Sequence, residues 1–525
     1  MRSGEMRCSR SRWGWVAAAV ATWAIVSTAA ERRTPAFPGA EGFGMYAEGG
    51  RRGRALFVTS LDDYDPDGEE PIPGTMRWAC SQPLPRTVLF RVGGTIRLKN
   101  VLRIQEPYLT IAGQTAPGGI LLRDFKTEVR GKQDGEPVHD IVIRHVRFRL
   151  GPGTNPDGTT VACREDPGYH GPDDTFAVKN AHDVIIDHCS FSWSHDETVS
   201  ITGGREYGGA TTNITVQWSL IAEPLSEGWH SYEHSKAVML VGATVSFHHN
   251  VIMHSVARNP LIAGLTEPDG PSPVVDVVNN LTYNLRDENA VLYDYPADRN
   301  PASRINYVGN LNIKGPSTDM RLCPARRAIW LMHKLHAETK VQQNASLFAK
   351  DNLGINRTDP KQSDLASICW GAGSGSISPR RFPAPPVTTH SPEELCGLLL
   401  PEVGATHPKR DVVDLRLIRD IEKRTGLIIS HPEVHADEPG HDADGYPVMA
   451  GGTPPADSDR DGMPDEWERE HRFAPTSPSD AVLDPDGDGY TNLEEFLNRT
   501  DPDRPDAVAG NDALVPARER RGPSP

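Results

Sequence analysis

Short runs of β-branched and aromatic residues, each interrupted by one polar position, recur through the middle of the chain: VIIDHCSFS around Ser190, ITVQWSLIA around Ser219, VSFHHNVIM around Asn250, VVDVVNNLTY around Asn280 and INYVGNLNI around Asn310. The polar positions are 29, 31, 30 and 30 residues apart. Each unit predicts two short strands joined at a Ser or Asn bend, with Gly, Pro and Asp-rich insertions between units. A steady period of this size is the signature of a solenoid. The leucine consensus of leucine-rich repeats is missing, and so is the 3.6-residue periodicity of helical repeats, which leaves an all-β parallel β-helix with Val and Ile inside. Asn250, Asn280 and Asn310 are then expected to stack as a hydrogen-bonded ladder at one bend, with Asp187 and His188 orienting turns in the same stack.

Upstream, HDIVIRHVRFRLG (139–151), TVLFRVGGTIRL and YLTIAGQTAPGGILL (87–122) have the same character, so the coils are expected from about Val88 to Lys314. Downstream the period changes. Ser391-Pro392-Glu393-Glu394 starts a helix as a capping box before LCGLLL, and DVVDLRLIRDIEKRTG has an Asp N-cap, an amphipathic stripe and a stop at Gly426. The expected organisation is residues 31–340 as the β-helix and 341–435 as helices and loops packed on its outside. Residues 436–456 follow as a Pro/Gly/Asp-rich linker, 457–505 as a small calcium-binding module and 506–525 as a disordered tail.

The chain has 525 residues and a net charge of −16, with no Arg/Lys stripe interleaved with aromatics, which sets nucleic acid aside as a partner. Residues 1–30 read as a secretory signal: Arg2, Arg7, Arg10 and Arg12 precede an apolar run from Trp13 to Val26, and Ser27, Thr28, Ala29 and Ala30 follow. The run is short for a membrane span, and no second apolar segment of about 20 residues occurs. The mature protein is therefore expected outside the cytoplasm, in the periplasm, the medium or at the cell surface, as a monomer. Beyond Cys8, six cysteines remain (Cys80, Cys163, Cys189, Cys323, Cys369 and Cys396), an even number whose pairing stays open.

The negative charge is local. Thirteen acidic residues against three arginines lie between Asp457 and Glu495. Asp457, Asp459, Asp461, Gly462, Asp465 and Glu468 fill positions 1, 3, 5, 6, 9 and 12 of a twelve-residue loop. Asp484, Asp486, Asp488, Gly489, Asn492 and Glu495 repeat the pattern 27 residues later. This is the EF-hand loop pattern: hard Ca²⁺ takes many oxygens, Gly permits the sharp turn and the final Glu closes the sphere. WEREHRF and LEEFLNR follow as exit helices without clear entering helices, so the pair resembles dockerin-like or bacterial thrombospondin type 3 repeats. Such modules act as structural staples or as attachment units for a cell-surface partner.

AFPGAEGFG, the TIAGQTAPGG turn, DVIIDHCSFSWSHDE, HSK at 234–236 and SFHHNVIMHSVARNP together resemble the pectate lyase family (polysaccharide lyase family 1) over most of residues 35–450. The resemblance implies a right-handed parallel β-helix with short flanking helices that cleaves polygalacturonate, or a related acidic uronate polysaccharide, by Ca²⁺-assisted β-elimination. That reaction removes the C5 proton beside a uronate carboxylate and expels the 4-O-glycosidic oxygen, so it needs positive charge at the carboxylate and a base at C5. By resemblance the calcium carboxylates are Asp174, thirteen residues before Asp187, and Asp196, and the base is Arg258. Lys236 matches the lysine that binds the substrate carboxylate. It is also the alternative base, because an Arg pKa above about 12 makes the neutral form costly.

Two positions depart from the family pattern. Ser200 stands four residues after Asp196, where better-known members carry a second Asp ligand, with Glu197 as the available substitute. Leu261, Ile262 and Ala263 stand where a second Arg is expected. Two rival function classes are a polygalacturonase-type glycoside hydrolase using Asp173 with Asp174, whose NTDG and GHG-type motifs are absent, and a non-catalytic carbohydrate-binding or adhesin β-helix.

Overall fold

The structure, a computed structural model, describes residues 33–132, 135–152, 174–203, 209–226, 234–264, 272–292, 303–331, 345–370 and 376–506. The signal segment, Cys8, Cys163, Asp173 and the tail beyond Asp506 lie outside the described residues.

Among the described residues the chain winds through three sheets of 11, 9 and 8 strands. The first runs from Arg54–Val58 to Ser376–Ile377, the second from Leu102–Ile104 to Ile368–Trp370, and the third from Gly94–Arg97 to Leu311–Ile313. One coil shows the path: Ala181–Asp187 lies in the first sheet, Ser190–Ser192 in the third and Glu197–Thr202 in the second, and Thr212–Gln217 returns to the first. Successive coils pair in parallel, giving a right-handed parallel β-helix.

Strand alternation explains which residues fill it. Val184 and Ile186 point into the central core with Val216 and Phe247, each buried side chain contributing about 1.5–3 kcal/mol. Ile185, between them, faces outward and packs on Phe37, Ala40 and Met45. The AFPGAEGFG segment is thus a strap over the first sheet, and it needs glycine there: a Cβ on Gly44 would sit 2.2 Å from the Val184 carbonyl oxygen.

The Asn ladder forms as expected at the bend between the first and third sheets. Asn250 Nδ2 donates to Asn280 Oδ1 at 3.1 Å, and Asn280 Nδ2 to Asn310 Oδ1 at 3.0 Å. Asn310 Nδ2 donates onward to Asn352 Oδ1 at 3.0 Å, 42 residues away. The solenoid accordingly runs beyond Lys314, through Ile329–Leu331, Ser346–Lys350, Ile368–Trp370 and Ser376–Ile377. An insertion in that coil breaks the 30-residue period and conceals the rung.

Helices Leu395–Glu402 and Val412–Lys423 cover the outer face of the third sheet, setting Leu395, Leu399, Val413 and Leu417 against Leu220, Val251, Met253 and Leu281. The Ser391/Glu394 capping box and the Asp411 cap, which accepts from Asp414 N, start them where the sequence indicates. Residues 436–456 are laid on the solenoid rather than hanging free. Tyr446 is buried, its hydroxyl donates to Leu150 O at 2.9 Å and the Arg123 guanidinium lies 3.3 Å from its ring centroid. The acidic segment also packs on the first sheet, Met463, Ala481 and Leu493 forming one apolar cluster with Leu89 and Ala112. Cys323 and Cys369 form a disulfide, while Cys80, Cys189 and Cys396 are free. No described helix is long and apolar enough to cross a membrane.

Replacing Asn280 by Ala removes the acceptor for both Asn250 N (3.0 Å) and Asn250 Nδ2. At about 1–3 kcal/mol per orphaned buried group, Asn280→Ala should lose at least about 2 kcal/mol, read as a lower denaturant midpoint. An unchanged midpoint would remove the ladder from the list of supports.

Candidate active site

Parallel stacking brings the chemistry-bearing residues of four coils side by side at the entrance of the second sheet. Glu197 is the register partner of Lys236, and Lys236 bridges to Ala257. Val238 N donates to Arg258 O at 2.9 Å, fixing the ARNP turn against the HSK strand. On the other side, Glu197 N donates to Asp174 Oδ1 at 3.3 Å and Thr175 N to Glu197 O at 3.1 Å. Arg258 itself adopts a left-handed φ of 59°, which turns its side chain out of the strand direction.

The Arg258 guanidinium pairs with Glu197 Oε1 and lies 3.7 Å from Asp196 Oδ1. Asp174 and Glu197 are buried, whereas the Asp196 and Arg258 side chains keep 27% of their surface accessible. Carboxylate oxygens of Asp174, Asp196 and Glu197 lie within 4.8 Å of one another, and three clustered oxygen donors are what a hard divalent cation takes. Lys236 sits in the same stack, half-buried. Ser200 pairs with Ala177 and Met239 one turn along the strand, fully buried, its Oγ without a hydrogen-bond partner. Leu261 and Ile262 are a strand of the second sheet.

Two residues escaped the sequence reading. His234 Nδ1 lies 3.2 Å from Asp196 Oδ1 and 2.9 Å from His195 O, so it orients the acidic turn. Glu288 accepts from Arg258 N at 2.9 Å, and its carboxyl is raised above the usual range because burial outweighs the attraction of Lys236 and Arg258. The signal for Glu288 was the period itself, since it lies 30 residues after Arg258. Asp187 is fully buried and held by Arg144 (2.9 Å) and Gln217 (2.8 Å), as a turn-orienting residue should be.

In the acidic segment, Asp457, Asp459 and Asp461 cluster, as do Asp484, Asp486 and Asp488. Helices Asp465–Glu470 and Asn492–Asn498 begin at position 9 of the two loops. Asp465 is taken up by hydrogen bonds: its oxygens accept from Ser458 N (2.7 Å) and Ser458 Oγ (2.8 Å) within the loop and from Arg469 (3.1 Å) beyond it. Burial, then repulsion from neighbouring carboxylates, pushes Asp461, Glu468 and Glu495 each up to about 7.

The architecture and the paired acidic and cationic rungs define a β-helical protein with a charged site on its second sheet. No family model matches the chain. It is 30% identical over 468 residues to a probable pectate lyase C of Aspergillus flavus, spanning 88% of this chain and 93% of that protein. Against a probable pectate lyase C of Aspergillus fumigatus it is 31% identical over 465 residues, with the same coverage. A solved pectate lyase from Bacillus sp. N165, in complex with trigalacturonate, aligns with a TM-score of 0.43 and 13% identity over 69% of this chain and 98% of that one. The chain belongs to the pectate lyase family.

Because Asp461, Glu468 and Glu495 have folded-state values above those of the unfolded chain, the stability they contribute is present below about pH 4 and is lost as pH rises through about 7. In chelator, the thermal midpoint should therefore fall between pH 5 and pH 8. Added Ca²⁺ should close the gap, and Glu468→Gln should narrow it. A gap untouched by Glu468→Gln would mean that this carboxylate is not the strained one.

Proposed function

We propose that this pectate lyase family member is a secreted enzyme that cleaves polygalacturonate or a related uronan by calcium-assisted β-elimination. The observation that carries the reading is the stack of Asp174, Glu197, Lys236 and Arg258, which sets carboxylates and cations against each other on adjoining coils beside accessible Asp196. The curated relatives' name supports the substrate class.

Asp174, Asp196 and Glu197 would hold the ion. Ca²⁺ bound there supplies charge that neutralises a uronate carboxylate and acidifies its C5 proton. Lys236 binds the substrate carboxylate. Arg258 takes the C5 proton, the C5–H electrons form the C4=C5 double bond, and the 4-oxygen leaves with its bonding pair to be protonated by solvent. The loops of residues 457–505, through Asp457, Asp459, Asp461, Glu468, Asp484, Asp486, Asp488, Asn492 and Glu495, hold further Ca²⁺ as a structural staple that also suits attachment at a cell surface.

Incubation with polygalacturonate and Ca²⁺ should generate the ultraviolet absorbance of an unsaturated uronate, and chelator should abolish it. Product without that chromophore would make the enzyme a hydrolase. Arg258→Lys keeps the charge but changes reach and basicity, so turnover should drop by about 10²-fold or more with a smaller change in KM. Full activity in Arg258→Lys with none in Lys236→Ala would move the base to Lys236.

The two kinds of metal site should also separate. Asp174→Asn should raise the Ca²⁺ concentration needed for activity, while Asp486→Asn should lower thermal stability in Ca²⁺ and leave turnover nearly intact. The reverse pattern would place the catalytic ion at the C-terminal end.

A further inference from the structure

Resting on the reading of residues 457–505 as calcium loops, we propose that Asp480, which lies outside both loops, is a ligand of the first calcium site in place of Asp465, and that Asn492 couples this site to the second. The twelve-residue pattern assigns position 9 of the first loop to Asp465. Both oxygens of that carboxylate are instead engaged by Ser458, at position 2 of the loop, and by Arg469 just beyond it.

Asp480 fills the gap. Carboxylate oxygens of Asp461, Glu468 and Asp480 lie within 4.8 Å of one another. Glu468 is 0% exposed, and neither of its oxygens has a hydrogen-bond partner. Asp480 is 8% exposed; its Oδ2 accepts from Ala474 N at 3.2 Å, while Oδ1 is buried without a partner. Asp461 Oδ2 and both oxygens of Asp459 are likewise buried and unpartnered. A buried carboxylate without a donor is costly. Here several converge on one point with no Arg or Lys paired to Glu468 or Asp480 among the described ion pairs, and a hard divalent cation is the ligand that satisfies all of them at once.

The second site has its own buried, unpartnered atoms: Asn492 Oδ1, Glu495 Oε1 and Asp486 Oδ2. Asn492 is 0% exposed and faces both ways. Its Nδ2 donates to Asp480 O at 2.8 Å, and its backbone N donates to Leu483 O at 2.8 Å. A ligand of the second ion therefore holds the backbone that carries a ligand of the first. Ordering either site lowers the entropic cost of ordering the other, which is positive coupling between two equal ions.

The test is calorimetric titration of the full chain with Ca²⁺ alone, in an Asp174→Asn background that weakens the acidic cluster of the solenoid. The parent should take up two ions in the C-terminal segment, and Glu468→Gln should lose one. Asp480→Asn should weaken the same ion at least about tenfold and also weaken the remaining one, whereas Asp465→Asn should leave both near the parent affinities. An Asp480→Asn protein that binds like the parent, with Asp465→Asn losing an ion, overturns the proposal and leaves the loop reading standing. If Glu468→Gln and Glu495→Gln both leave uptake unchanged, the loop reading fails and takes the proposal with it. Asp480→Ser serves as a second variant, and tryptophan emission in excess Ca²⁺ reports that each variant is folded.

Discussion

Everything in this protein depends on the in-register stacking of parallel coils. Because each strand pairs with the strand one coil before and one coil after, a residue's neighbours are set by adding or subtracting one coil length, and side chains of like kind form columns. A column of Val and Ile makes the core, and a column of Asn satisfies the backbone at the bend. The same arithmetic brings Glu197, Lys236 and Arg258 together from sequence positions that span about sixty residues, with Glu288 one rung further. Loop closure by long insertions costs little once the coils on either side are paired. The solenoid can therefore carry its variable segments without disturbing the columns.

This explains what was readable in the sequence. Repeated β-branched runs at a 30-residue spacing reveal the fold because the same physical position is being filled each time, and the Asn positions are visible for the same reason. The coil between Asn310 and Asn352 was hidden because its insertion changes the spacing while leaving the contact unchanged. Residues 436–456 looked like a linker because Gly, Pro and Asp dominate them. Tyr446 against Arg123 and the Leu150 carbonyl, Asp442 and Asp444 on Arg123, and Met449 on the third sheet lay them down, and such scattered contacts leave no period to detect. At the site, the family motifs marked Asp174, Asp196, Lys236 and Arg258. Glu288 and His234 act by holding those residues, through a backbone amide and a carboxylate turn; Glu288 is marked only by lying one 30-residue period after Arg258, and His234 only by its place in HSK.

The cover over the solenoid is as selective as its core. The outer face of the first sheet receives the N-terminal strap and the acidic segment, and that of the third receives the two helices and the 436–456 segment. On the second sheet, outward positions carry Arg103 and Glu128, paired in register, followed by Ala177 and Ser200. Half-exposed Arg103 and Arg130 lie 3.6 and 3.8 Å from buried Glu128. Beyond Ser200 the same column turns apolar at Met239, Leu261, Val291 and Trp330, so the charged outward positions of this sheet gather in its first coils.

Buried carboxylates in this molecule divide into two populations, and the division separates scaffold from site. Glu223 is fully buried, yet Arg416 reaches both of its oxygens at 2.6 and 2.9 Å; burial works against its ionisation, and Arg416 prevails to hold it down to about 2. Asp63 is likewise paired with Arg77 at 2.7 Å, and Asp411 and Asp414 with Arg149 at 3.0 and 2.7 Å. The Glu223 and Arg149 pairs lock the helix Val412–Lys423 and its cap to the solenoid, so the partners of these acids are built into the chain. Glu468 and Glu495 are as deeply buried, yet their nearest charges are other carboxylates and both are driven up to about 7. Among the described residues the fold places guanidinium groups beside many other buried acids and none beside these two, and that contrast is what the proposed calcium reading of residues 457–505 rests on.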